Sequence, residues 1–157
     1  MNNKFEQKLN IILIKSGFIR KVNRWSKNTN IGASTALLLC EIQKSNYSNN
    51  FYINFGVYYS DKSIGRKSFP KSTDWHFVAR YEQILFNKFS AGISNELSFE
   101  ESEVILENIR NVILPYLHNF SNSDYMINEF LPNYNFESIW LQHFSINKLR
   151  DFLLSCR

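Results

Sequence analysis

Five residues in the middle of the chain carry the side chains best suited to chemistry: Glu41, Gln43, Asn54, His76 and Arg80. If three neighbouring strands bring them to one sheet face, Arg80 offers a forked donor for a carboxylate or phosphate. Asn54 would orient such a ligand, and Gly56 would let it approach the backbone closely. The same side chains could instead satisfy one another, with Arg80 against Glu41, Asn54 bonded to Gln43 and Gly56 leaving room for an aromatic ring. Buried polar groups need partners whatever the function, so the residues alone leave both readings open.

Catalytic motifs are missing around this set. His76 is its only histidine, because His118 and His143 fall in the second half of the chain. One histidine is too few for a metal site of three or four ligands, and it makes no triad without an identifiable nucleophile. There is no GxSxG elbow, no phosphate loop, no GxGxxG and no HExxH, and the 5 glycines are too scattered to cradle a nucleotide. No catalytic residue, metal ligand or cofactor is assigned. The carboxylates Glu100, Glu101 and Glu103 sit together, but at the start of a helix, where they complement the macrodipole.

A second set is basic: Arg20, Lys21, Arg24 and Lys27 around Trp25, joined by Arg66 and Lys67 in the loop 61–73. Cations beside an aromatic platform can hold a nucleic-acid backbone and stack a base. Lysines also protect exposed strand edges, and Trp25 can equally serve the core, so nucleic-acid binding is the lesser reading. The chain is basic up to Lys88, with 14 Lys or Arg against 5 Asp or Glu, and acidic beyond it, with 4 against 9. Such a skew suits either an anionic partner or mutual attraction of the two halves within one fold.

The elements that must position these residues centre on Ala33 to Ser60, read as two strands around the turn Ser45 to Asn50. Phe51, Ile53, Phe55, Val57 and Tyr59 alternate with Tyr52, Asn54, Gly56 and Tyr58, which gives the second strand one apolar face and one polar face. Leu37, Leu39, Glu41 and Gln43 should share the face of Asn54. Phe5, Leu9, Ile12 and Leu13 form the stripe of an N-terminal helix closed by Gly17. Short basic strands follow over 18–22 and 24–27, with turn chemistry from Asn28 to Gly32. Trp75, Phe77, Ala79 and Tyr81 alternate with His76, Val78, Arg80 and Glu82 as another strand, although Phe77, Arg80, Tyr81 and Ile84 also fit a helix.

Asn95 to Phe120 reads as a helix, with Ser98 and Glu101 as a capping-box signature near its start. Its buried stripe is read as Ile105, Ile109, Val112 and Tyr116, with a break before Pro115. Ser121 or Ser123 caps a further helix that Pro132 closes, and one or two helices follow beyond it. The fold class is α+β: an antiparallel sheet of about four or five strands, packed against the N-terminal helix and the C-terminal helices, in one domain over 1–157.

Composition agrees. The chain is 44% hydrophobic and 16% aromatic, values of a globular domain with a core of large rings. The apolar run Ile11 to Ile14 is far below the roughly 20 residues of a membrane span, and Met1 to Glu6 do not read as a signal peptide. Cys40 and Cys156 make neither a disulfide framework nor a metal spacing. A cytoplasmic protein without a membrane segment is expected.

Several of these features occur together in a known family. Gly17-Phe18 after a helix, Trp25, Gln43-Lys44-Ser45, and Phe51 with Ile53-Asn54-Phe55-Gly56-Val57 resemble the bacterial family designated domain of unknown function 4304. His76, Arg80 and Leu114-Pro115-Tyr116-Leu117 extend the resemblance, which spans roughly residues 5–131 and leaves 133–157 as a C-terminal extension. It implies an α+β fold and a bacterial cytoplasmic setting, and it implies no activity. The expected function is a non-enzymatic module that binds another macromolecule, an immunity-like protein partner being one form. A small-ligand binder or enzyme on the polar sheet face and a nucleic-acid accessory protein are the alternatives.

Overall fold

A computed structural model describes residues 3–60, 69–88, 91–134, 140–142 and 145–157. Helix α1 (Asn3–Lys15) buries Phe5, Leu9, Ile12 and Leu13, the stripe expected from spacing. It stops at Gly17, whose φ of +88° is the left-handed conformation that lets a chain turn away from a helix end. The sheet then begins with β1 (Ile19–Lys21), β2 (Arg24–Ile31), β3 (Ser34–Lys44) and β4 (Asn50–Ser60). β2 is longer than expected: Asn28 to Ile31 belong to the strand, and the turn contracts to Gly32 and Ala33. Gly32 permits this with φ of +57°, and a Cβ there would collide with the main chain of Cys156.

Strand β5 (Phe77–Arg80) pairs with β4 over 54–57 and runs directly into helix α2 (Tyr81–Phe86), so Tyr81 opens a helix where the alternation continued the strand; β6 (Ile93–Ser94) pairs with the same edge of β4 over 50–51. A short strand β7 (Trp140–Leu141) adds to β5. The antiparallel order is therefore β1-β2-β3-β4-β5-β7, with β6 beside β4. Among the described residues the tail thus contributes a strand and a helix to the fold, where helices alone were expected. Pairing runs Glu41 to Asn54 to Arg80 across three adjacent strands, the register that the alternation predicts.

Helices cover one face. Phe51, Ile53, Phe55, Val57 and Tyr59 point into the main core with α1, and α3 (Phe99–Asn108) and α4 (Leu114–Asn119) close over them. The capping box at Ser98 and Glu101 is present in both directions. Between α3 and α4 the segment Ile109–Ile113 is a π-helical turn, in which Leu114 N–H reaches back to the Ile109 carbonyl. The extra residue per turn rotates everything after it by about one position. Beyond it Ile113 and Leu117, in line with the buried Leu106 and Ile109, take the buried positions expected of Val112 and Tyr116, and Val112 is 47% exposed.

Asn122, rather than Ser121 or Ser123, caps the next helical segment, its side chain accepting from the Asp124 and Tyr125 amides. This segment begins as α5 (Ser123–Tyr125) and continues to Asn133. α6 (Ile146–Ser155) returns Leu149, Phe152, Leu153 and Cys156 to the same core. Among the described residues no helix is long and apolar enough to cross a membrane.

The opposite sheet face is also partly buried. Leu37, Leu39, Tyr58, Trp75 and Val78 form a second apolar cluster. The Trp75 ring packs against Gly56, where a Cβ would stand 2.2 Å from the ring and 2.4 Å from the Phe77 carbonyl. Neither neighbour can yield without opening a core. Gly56→Ala should therefore lower stability by about 1–3 kcal/mol, as overpacking does. A urea midpoint equal to that of the wild type would show that Trp75 does not rest there.

Candidate functional site

The second face divides into two zones along β4. Toward Ser60 it is roofed by Trp75, whose indole N–H donates to the Pro70 carbonyl at 3.1 Å. Toward Asn50 it stays polar, and there Glu41, Gln43, Asn54 and Arg80 come together with Tyr52. Asn54 is 4% exposed and donates through Nδ2 to Gln43 Oε1 at 3.0 Å. The guanidinium of Arg80 lies 3.8 Å from the centroid of the Tyr52 ring, a cation–π arrangement that holds both planes in place. Glu41 pairs with Arg24 across β2 and β3, Nε to Oε1 at 3.8 Å.

The polar zone therefore combines both sequence readings. Asn54 to Gln43 is the internal bond expected of a self-satisfied network, and Gly56 accommodates the indole of Trp75. Gln43 is exposed and Glu41, Tyr52 and Arg80 are half-buried, so an outer rim of this network faces solvent.

His76 is not part of it. Strand β5 begins only at Phe77, and both the His76 amide and the Phe77 position meet Val57, a one-residue offset of the kind a bulge makes. The offset places Trp75 on the face opposite the one its alternation with Phe77 implies. It also turns the His76 ring toward Tyr58, parallel at 5.0 Å between centroids. Nδ1 of His76 accepts the Tyr59 amide at 2.8 Å, so the imidazole continues the ladder where the strand has ended, and that acceptor atom carries no proton. The His76 carbonyl accepts from the Gln142 amide at 2.7 Å, tying in the C-terminal strand.

The basic set is dispersed. Arg20 and Trp25 face the helix side: Trp25 is fully buried and donates through Nε1 to Asn10 Oδ1 at 2.9 Å, so its ring is a core element rather than an open platform. Arg20 covers that ring and pairs with Glu6, while its Nε donates to the Val22 carbonyl at 2.7 Å. That bond secures a turn in which Val22 has φ of +58°, uncommon for a β-branched residue. Lys21 and Arg24 face the other way, over the Phe69 ring and toward the Phe69 and Pro70 carbonyls. Arg66 and Lys67 lie outside the described residues.

Sequence reading missed Tyr47. It stands 98% exposed at the tip of the β3–β4 hairpin, in a turn held from within and from beside. Its amide donates to Ser45 Oγ at 3.2 Å, and Asn95 bonds Asn49 through side chain and main chain at 2.9 and 3.0 Å. The cue was available: a large ring inside an otherwise wholly polar turn has no core to enter.

Titration of the buried groups points away from nucleophilic chemistry. Burial pushes the Cys40 thiol well above its ordinary value, with the Glu41 charge adding to it. Burial does the same to the Tyr59 phenol, whose hydroxyl donates to the Phe120 carbonyl at 2.8 Å. Reactive thiols require the opposite shift. Among the described residues no three His, Cys, Asp or Glu side chains are placed to hold a metal.

Two outcomes follow. His76→Ala leaves the Tyr59 amide without its acceptor inside the protein and should cost about 1–3 kcal/mol, read as a lower melting midpoint; a wild-type midpoint would remove the ladder role. Cys40 and Cys156 should resist thiol-specific labelling in the folded protein and react fully in denaturant, whereas rapid native labelling would contradict their burial.

No curated protein and no solved structure matches the chain. A family model does, the domain of unknown function DUF4304, over residues 9–119. The matched stretch contains the hairpin with Gln43, Asn54 and Gly56, the His76 offset and the π turn before Pro115, and it ends just before the segment that returns β7 and α6 to the core. On this match the chain belongs to the DUF4304 family.

Proposed function

We propose that the protein is a non-enzymatic binding module whose contact surface is the rim formed by Gln43, Tyr52 and Arg80, extended by Tyr47 at the hairpin tip. The observation that carries this reading is Tyr47 itself, 98% exposed on a turn that is hydrogen-bonded into position. The turn fixes where the ring stands, its apolar surface is left in water at a cost in hydration, and a partner protein would remove that cost. Arginine and tyrosine are the side chains that most often dominate such contacts. Here the guanidinium of Arg80 is already oriented by the Tyr52 ring, so little freedom remains to be lost on association.

Glu41 and Arg24 flank the rim with opposite charges, which suits a protein surface of mixed charge better than a polyanion. A bacterial cytoplasmic setting, with an immunity-like partner among the candidates, is the form of this reading that the family resemblance favours.

Capture from a lysate of the source cells tests it, using the wild type, Tyr47→Ala and Arg80→Ala after each is shown to be folded by near-ultraviolet circular dichroism. One stoichiometric protein should be recovered by the wild type, and each variant should bind it more weakly by about tenfold or more, the loss of a contact at the centre of an interface. Equal capture by both variants, or recovery of nucleic acid that falls away steeply with salt, would overturn the proposal.

A further inference from the structure

A separate stretch of main chain is left open by the strand alternation. Neighbouring residues of an antiparallel strand bond to opposite sides. With Ile31 opposite Ser34 across the turn, and the Ile42 amide donating to the Asn23 carbonyl, Trp25, Lys27, Thr29 and Ile31 are the residues of β2 that bond β3. Arg24 and Ser26 face the other side and meet Lys21 and Ile19 of β1. Asn28 and Asn30 face that side too, but β1 has ended by then and the chain has left through Gly17 into α1. Both residues are exposed, and among the described residues no group bonds their outward amides or carbonyls.

This open edge borders a groove of about 440 Å³. Thr29 and Asn30 form one wall, and His118, Asn119, Ser121 and Ser123, from the end of α4 and the start of α5, form the other. The lining is hydroxyl, amide and imidazole, with no carboxylate, lysine or arginine among the groove residues. An edge of this kind is completed by one added strand, whose backbone supplies the bonds while alternate side chains meet the wall.

We propose that the Asn28–Asn30 edge is a strand-addition site for an extended segment of another protein, with hydroxyl and amide side chains at the positions facing His118 and Ser121. A second copy of this chain suits the groove less well. The α4–α5 wall stands on the helical side of the sheet, so a two-fold pairing of β2 edges would set the two walls against each other, whereas a single added strand brings no second wall. Uncharged walls likewise match an uncharged segment.

The test uses the full chain and a phage-displayed library of random linear peptides, followed by amide hydrogen exchange measured by NMR. In the free protein the Asn28 and Asn30 amides should exchange faster than those of Lys27 and Thr29, which are bonded within the sheet. Enriched peptides should be rich in Ser, Thr and Asn and should slow the Asn28 and Asn30 amides by about tenfold or more. The double variant Asn28→Pro/Asn30→Pro removes only the outward donors, a position where proline is tolerated, and should abolish peptide binding; His118→Ala should weaken it. Arg80→Ala should leave peptide binding unchanged, which separates this site from the rim around Tyr52.

Failure to enrich any peptide, or enriched peptides that leave both amides fast in the wild type, would overturn the proposal even if the proline variant does not fold. Protection that grows with protein concentration alone would overturn it in favour of self-association.

Discussion

The contact between Trp75 and Gly56 sets the terms for the rest of the molecule. A sheet with helices on one side needs only one apolar face, yet here the indole seals half of the second face as well, and only the absence of a side chain at position 56 allows it to do so. Trp75 reaches that position through the offset at His76, and the offset is tolerated because the imidazole takes over the Tyr59 amide. Three residues thus form one device. Beside it on that face lies the polar zone from Glu41 to Arg80, which the proposed rim occupies.

The helical side answers a different constraint. Pro115 has no amide to donate and its ring crowds the carbonyl of Asn111, and the backbone just before it widens into a π turn. The helix is not broken; it is rotated in phase, so that Ile113 and Leu117 replace Val112 and Tyr116 against the sheet. From there the chain needs α6 to complete the core, since Phe152 packs on Tyr59 at 5.5 Å and the Cys156 main chain lies against Gly32. The segment beyond the matched residues 9–119 is therefore built into the same apolar cluster.

Much of this was legible in the residues. Strict alternation from Phe51 to Tyr59 gave the correct face for every residue of β4, because a half-buried strand repeats every second position and a slip would expose five large side chains. Ser98 with Glu101 located a helix start, since capping is a local event between neighbours. Two of the failures share one cause. A bulge at His76 and a π turn before Pro115 each insert one residue into a regular period, and a periodic reading carries the old phase forward. Trp75 and Val112 were consequently assigned to the wrong sides. His76 was grouped with Arg80 by the same alternation, although its ring serves the backbone. Trp25 stays open between core and platform in local sequence, because the partner that satisfies its buried N–H, Asn10, lies on a helix fifteen positions away.

Hydroxyl-radical footprinting with residue-level mass spectrometry tests the two-zone face most directly. Trp75, Tyr58 and Trp25 should be protected in the folded protein, while Tyr47 is oxidised at nearly its rate in the unfolded chain and Tyr52 at an intermediate rate. Oxidation of Trp75 and Tyr58 as fast as Tyr47 would mean that the indole does not cover Gly56, and the division of the face into a sealed half and a binding half would fall with it.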